Sequence, residues 1–510
     1  MLTLVLLLAA VGVNAQVTTA SMGGRVTDAS NEPIIGATIQ AVHVPSGSQY
    51  GTVTNVDGRY SIQGMRTGGP YTVTISYIGY QTIVLKDITL QLGEVYNQNV
   101  EMDESSEILT EVVVTAAKTK FAAEKTGAST NISSSQMKQL PTINRSISDI
   151  ARLSPYASGM NMAGGDGRST NFTIDGANFN NNFGLSSALP GGGNPISMDA
   201  IEEVQVVIAP FDVRQTNFIG GGINAVTKSG TNTFQGTAYT YHYNDNMRGS
   251  RVDGQSLNVP EENDKHIYGA TFGGPIVKNK LFFFGNVEYQ KIPSTIVNWR
   301  ASEDGIANPD NYISATRLSD MQKVSEFVKQ KYGYDTGSYT SFPADETNLK
   351  LLGRIDWNIN QYHKLAVRYN YTKNTAWNQT NGNSSDTGYR LNGMNRFSQY
   401  SMAFANSCYS MDNKVSSVSA DLNSRFSNNM SNQLLFTYTI QDVRGTDSSP
   451  FPFIDIMGGY DASTGVQTLQ PYMSLGYELF TYNNAVNNKI YTLTDNFTYY
   501  AGDHKLTAGF

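Results

Sequence analysis

From about residue 229 onward, apolar and polar positions alternate along extended runs of about ten residues. Leu349, Leu351, Ile355, Trp357 and Ile359 fall on one side of such a run, and Lys350, Arg354, Asp356 and Asn358 on the other. Leu365, Val367, Tyr369 and Tyr371 alternate with Lys364, Arg368 and Asn370. Leu434, Phe436, Tyr438 and Ile440 alternate with Gln433, Thr437 and Thr439, and Leu281 to Tyr289 follow the same rule. Short turns such as Asn360-Gln361-Tyr362 and long polar loops separate roughly nine such strands between Thr233 and Phe510. A soluble sandwich would also alternate. Strands of this length, with Tyr and Trp near their ends, instead predict a transmembrane β-barrel with an apolar outer and a polar inner face. In lipid such a sheet has to close, because edge N–H and C=O groups would be left unsatisfied.

The chain before residue 229 has a different texture. Leu2 to Val13 is almost wholly apolar, and Val13-Asn14-Ala15 precedes Gln16, which predicts a secretory signal over residues 1–15 cut after Ala15. At about 12 residues the run is short of the ~20 that a spanning helix needs. Residues 16–103 alternate in short runs, such as Gly24 to Asp28, Pro33 to Ile39, Thr54 to Ile62 and Tyr71 to Tyr77. Val73, Ile75 and Tyr77 are expected on one face of a half-buried strand, with Thr72, Thr74 and Ser76 on the other. Asp57-Gly58 signals a hairpin. About seven strands in some 80 residues predict a small β-sandwich. Asn55-Val56-Asp57-Gly58 is a turn rather than a calcium loop, because the remaining ligands of such a loop do not follow.

Residues 104–116 begin as an acidic, polar linker and continue into Ile108 to Ala116. This short extended segment carries five apolar residues that cannot bury themselves alone. It is suited to adding itself as a strand to another protein's sheet edge, although an ordinary strand of the next domain has the same pattern. Residues 117–228 predict a mixed α/β unit. Helices are expected over Ser133 to Gln139 and Asn144 to Arg152, with Ile147, Ile150 and Ala151 on one face. A turn at Gly164 to Ser169 leads into the strand Asn171 to Gly176. That glycine cluster lacks GK[ST] and precedes a strand, so it is no phosphate loop. Ile201 to Val207 and Phe218 to Lys228 complete the unit.

Composition sharpens the picture. Charged residues are 15% and hydrophobic ones 39% of the chain, with 47 Gly, 30 Tyr and 22 Phe, as short strands and polar loops require. The net charge of −7, from 36 basic and 43 acidic residues, is too balanced to favour nucleic acid. One cysteine, Cys408, rules out an internal disulfide framework and reads as a buried or strand residue rather than a nucleophile. No HExxH, GxSxG or carboxylate pair stands in a recognisable frame, and His43, His242, His266, His363 and His504 are scattered. No catalytic residue, metal or cofactor is expected.

Residues 16–103 resemble the carboxypeptidase-regulatory-like, transthyretin-like module found at the front of outer-membrane transporters of Bacteroidetes. The "IDG" of Ile174-Asp175-Gly176, the "IEEVQVV" from Ile201 and the "GGGINAVTK" from Gly220, in this order, resemble the plug of TonB-dependent receptors. Ala209 to Arg214 and Ser229 to Asn232 further resemble the Oar-like subgroup rather than the SusC type. The Arg-Gly-Pro usual after the "IE" strand is Ala209-Pro210 here. The resemblance implies a mainly β protein: a sandwich, a plug over 117–228, and over 229–510 part of a 22-stranded barrel. On that count more than half of the barrel is missing. The last strand, after Gly502-Asp503, is too short to cross, so Phe510 is expected to be a truncation point. The resemblance also implies a TonB box at Glu111, Val112, Val113, Val114 and Thr115. Asp175, Gly176, Gly220, Gly221, Gly222 and Asn224 would be plug-framework positions rather than ligand contacts. Implied partners are the TonB-ExbB-ExbD complex, outer-membrane lipid and an extracellular substrate, with a surface lipoprotein as a further candidate. The implied activity is TonB-driven transport of a large solute across the outer membrane. A surface adhesin or scaffold, and a protein exporter using the same barrel, remain as alternatives.

Overall fold

The computed structural model describes residues 17–104, 112–115 and 128–510, apart from 141, 143–144, 182–187, 209, 211, 245–246, 248, 250, 257–263, 294–295, 343–344, 381–395, 446–450, 462–465, 479, 482 and 503. The expected signal, most of the 104–116 linker, Glu111, Ala209 and Phe211 lie outside the described residues.

Eight strands build the N-terminal sandwich: β1 (Ala20–Asp28), β2 (Thr38–His43), β3 (Ser48–Val53), β4 (Arg59–Met65), β5 (Gly68–Ser76), β6 (Ile83–Leu90), β7 (Val95–Asn97) and β8 (Val100–Met102). One sheet runs β4-β1-β7, with β8 also on β1. The other runs β3-β2-β5-β6 and ends on a ninth strand, β9 (Val112–Thr115). Inward residues of both sheets, among them Met22, Ile39, Ile62, Val73 and Ile75, share one core. Tyr77 does not join it, because β5 ends at Ser76 and the ring beyond is 38% exposed. Asp57-Gly58 forms no hairpin either. β3 pairs with β2 and β4 with β1, so this turn carries the chain from one sheet to the other. The Asn55 side chain accepts from the N–H of Asp57 (3.0 Å) and Arg59 (2.8 Å), which spends its oxygen on the turn itself.

An inner unit follows. Its five-stranded sheet runs in the order β10 (Ala128–Ser133), Ile201–Ile208, Gly221–Thr227, Asn171–Ile174 and Ala177–Asn178. Two short helices, Ser134–Gln139 and Ile147–Ala151, start from Ser133 and Ser146, each with a capping box. Ile147, Ile150 and Ala151 are buried together, as their spacing predicts. Their core also takes in Phe284, Leu352 and Val415 from the next sheet, so the inner unit rests directly on that sheet.

Among the described residues that sheet is a wall of nine antiparallel strands in chain order, from Gln235–Tyr243 to His504–Gly509. Leu351, Ile355, Trp357, Val367, Tyr369, Leu434 and Phe436 are exposed on its outside, while Lys350, Arg354, Asp356, Arg368 and Asn370 are buried inside. A soluble protein does the opposite. Register keeps the faces aligned: Leu351 stands beside Tyr371, and Ile355 beside Val367. At one end the strands join through short turns, such as that between Glu346–Asn358 and His363–Asn378. At the other end three long connections do not stay polar and separate. They build a shared core from Val297, Met321, Phe397, Phe404, Cys408 and Met473, among others, around the helix Leu318–Tyr332. Arg396, fully buried there, bonds Asp455 at 2.9 and 2.8 Å.

Candidate functional site

The inner unit, the sandwich and the wall meet around Asp175. Asn171–Ile174 and Ala177–Asn178 form a hairpin whose two turn residues are Asp175 and Gly176, both with positive φ (48° and 80°). Asp and Gly tolerate that conformation, and this turn needs them for it. A Cβ on Gly176 would stand 2.5 Å from Leu435 Cδ2 of the wall, so the close approach also requires glycine. The Asp175 carboxylate accepts from Thr227 N–H (3.0 Å) and Thr227 Oγ1 (2.7 Å). It lies 3.4 Å from Arg368 Nε and 3.9 Å from Arg354 Nη1 of the wall.

The charges continue outward from there. Arg354 forms a fork with Asp356 (2.9 and 2.8 Å), and Arg66 of the sandwich reaches the same carboxylate at 3.5 Å. Arg368 stands 3.7 Å from Asp421, which accepts a 2.6 Å hydrogen bond from Thr18 Oγ1. Three guanidinium groups thus face three carboxylates, and the buried cluster is formally neutral. Neutrality lets it survive desolvation. Removing one member would leave an uncompensated buried charge, at a cost of about 3–5 kcal/mol. Arg368 Nε and Nη1 have ion partners but no hydrogen bond of good geometry. A cavity of about 270 Å³ lies alongside, lined by Arg66, Glu202, Asp356, Lys364 and Arg368 among others.

The other expected framework residues fall in the same sheet, except Gly220, which immediately precedes its strand. Gly221 has no room for a Cβ, which would meet Val207 O at 2.7 Å, and Gly220 takes φ 103°. Gly222 makes only ordinary contacts. Asn224 is buried, accepts from Thr173 Oγ1 at 2.9 Å and donates to Gln205 at 3.3 Å. Asp175 N–H donates to Ala225 O at 2.9 Å, which ties the two motifs together. Val112 to Thr115 lie elsewhere, along β6 of the sandwich, with Val113 registered to Val84.

Sequence reading placed Arg354, Arg368 and Asp356 on an inward face but gave them no partners, since alternation fixes a side and not a neighbour. It also missed a second clamp. Both Glu203 oxygens accept from Leu92 N–H (3.0 and 3.1 Å), and Asn131 donates to the same carboxylate at 2.7 Å. Asn131 and Gln205 donate to Leu92 O at 3.0 and 2.6 Å. The sandwich's β6–β7 turn is thereby gripped by the inner sheet. Burial pushes the Glu203 carboxyl up to about 7 against these hydrogen bonds. Further along the wall, Lys350 and Glu288 form a 2.8 Å buried pair, and Ser197 of the inner unit donates to Glu288 at 2.7 Å. Among the described residues, no group of three or more His, Cys, Asp or Glu is placed to hold a metal ion, and no helix is long and apolar enough to cross a membrane. The arrangement positions and latches.

Residues 226–510, more than half of the chain and the whole wall, match the outer membrane beta barrel domain. This chain belongs to that family. It is an outer-membrane protein, and the inside-out wall is the physical form of that assignment. Residues 21–103 match the carboxypeptidase regulatory-like domain. Over 376 residues the barrel protein is 24% identical to the TonB-dependent transporter Oar of Myxococcus xanthus, covering 68% of this chain and 33% of that one. The chain thus spans about a third of the length of this curated relative. Solved structures similar to it include the siderophore receptor PirA from Acinetobacter baumannii, at TM-score 0.44 and 14% identity over 75% of this chain and 47% of that one. Another is a mutant of the ferric enterobactin receptor PfeA from Pseudomonas aeruginosa, at TM-score 0.42 and 13% identity over 76% and 49%.

Proposed function

We propose that the protein is a TonB-dependent transporter that moves a large solute across the outer membrane. In this reading residues 117–228 are the plug, 229–510 belong to a 22-stranded barrel, and Glu111 to Thr115 are the segment that the TonB-ExbB-ExbD complex captures. The short-turn end of the wall, where the sandwich sits, faces the periplasm, and the long connections face outward. The observation that carries the reading is an inner unit that rests on a few apolar residues of an apolar-out wall and is latched to it at Asp175 by an ion cluster. Arg354 and Arg368 on the wall flank that carboxylate. A plug has to be obstructive at rest and yet detachable, and a neutral ion cluster in a hydratable cavity is both. The outer membrane holds no ATP, so work has to arrive mechanically through a strand that another protein can pair with. The relationship to a TonB-dependent transporter agrees with this.

Uptake by the full-length protein carrying Val113→Pro tests the reading. Proline removes a ladder donor from the coupling strand, so energised uptake should fall at least tenfold while the protein still reaches the outer membrane. Uptake at the wild-type rate would overturn the assignment.

A further inference from the structure

The strand proposed to be handed to an energy-coupling partner is already paired within its own chain. β9 lies parallel to β6, with Ile83 against Val112, Val84 against Val113, Leu85 against Val114 and Lys86 against Thr115. It forms the last strand of the β3-β2-β5-β6-β9 sheet, so one of its edges is taken and β6 is shielded from becoming an exposed edge. The sandwich that holds it is itself fastened. Ser48 Oγ accepts from Asn358 of the wall at 2.9 Å, Lys364 donates to Gln49 O at 3.0 Å, and Arg425 donates to Gly51 O. Arg66 donates to Ser229 Oγ at 2.8 Å, and Leu92 sits in the Glu203 clamp.

These contacts decide where a pull would go. While β9 stays on β6, tension applied to it is borne by the sandwich and passed to the wall through Lys364, Arg425 and Asn358. The inner sheet shares that load sideways, through its clamp on Leu92, and little tension runs along the chain into β10. Only after β9 leaves β6 does the chain beyond it become the path of force. We infer that the β6 edge of the N-terminal sandwich is an intramolecular docking site that holds the coupling strand in reserve, and that strand release from β6 precedes movement of the inner unit. This rests on the coupling role proposed above. It adds a function for the sandwich: the resting partner of the strand.

The test uses the full-length protein in outer membranes, in a Cys408→Ser background. Lys86→Cys with Thr115→Cys places two thiols in register, and Lys86 is exposed, so the sandwich core is left intact. Val56→Cys with Thr115→Cys is the out-of-register control. With a short reducible thiol-to-thiol cross-linker, the registered pair should give at least fivefold more product than the control. Cross-linked protein should lose energised uptake at least tenfold and regain it on reduction. Equal yields from the two pairs, or full uptake by the cross-linked protein, would overturn the inference. Val113→Pro separates the two claims. If it abolishes uptake while the registered pair gives no product, the docking site falls and the coupling role stands. If it leaves uptake unchanged while the pair cross-links, the coupling role falls, and the claim of a reserved strand falls with it.

Discussion

At the scale of single residues, the protein turns on a carboxylate with two positive neighbours. Asp175 was legible in the sequence as part of a short motif, and its turn with Gly176 follows from the conformations those two residues tolerate. Its partners were not legible, because Arg354 and Arg368 lie some 180 residues later on strands whose alternation says only that they point inward. Asn tolerates positive φ as Asp does, so Asp175→Asn removes the charge and keeps the turn. Two guanidinium groups then lose a counter-ion. The expected loss is about 3–5 kcal/mol of attachment between inner unit and wall. Limited proteolysis of the protein in detergent should cut the inner unit faster in the variant; unchanged cleavage would argue that the cluster does not hold it.

At the scale of elements, the wall strands were the most readable part of the molecule. Period-two alternation survives any tertiary arrangement that keeps one face in lipid and one in protein. Leu349 to Trp357 and Leu365 to Tyr371 face as their pattern requires, with charged residues buried and apolar ones exposed. Val367 sits on the outer face, paired with Ile355 and Ala420. Val367→Arg should therefore cost on the order of 1–4 kcal/mol of folding into bilayers, the range for a cation on the lipid face between interface and midplane. A urea titration of the folded fraction in vesicles measures it, and an unshifted midpoint would place the residue away from lipid. Other elements were misread for physical reasons. Asp57-Gly58 has hairpin chemistry, but the strands it joins find better partners in two different sheets. The long connections contain enough apolar side chains to build a core once they meet, and no single connection shows that in isolation.

At the scale of the whole molecule, polar contacts fasten three units alongside shared apolar clusters, and one of those polar contacts is sensitive to pH. An ordinary glutamate ionises near 4.5, whereas Glu203 in the clamp on Leu92 holds its proton to about 7 because burial disfavours the charge. Below about 4.5 the carboxyl is protonated whether the clamp is folded or not, and nothing is lost. As the pH rises through 7 the folded form has to carry a buried carboxylate, at a penalty of about 3 kcal/mol. Glu203→Gln keeps an acceptor for Leu92 N–H and removes that charge. Thermal unfolding of the variant should therefore occur at a higher temperature than wild type at pH 8, with the two converging near pH 4.5. A constant difference across that range would show that ionisation of Glu203 is not what sets the clamp. The sequence by itself determined which stretches are strands, which faces are apolar and which turns accept positive φ, because those follow from local geometry and solvent. Only the tertiary structure decided which charges neutralise one another, that the sandwich is clamped by the inner sheet, and that Val112 to Thr115 lie along β6. Each of those joins positions distant along the chain, and an alternating pattern carries no information about which distant position stands opposite.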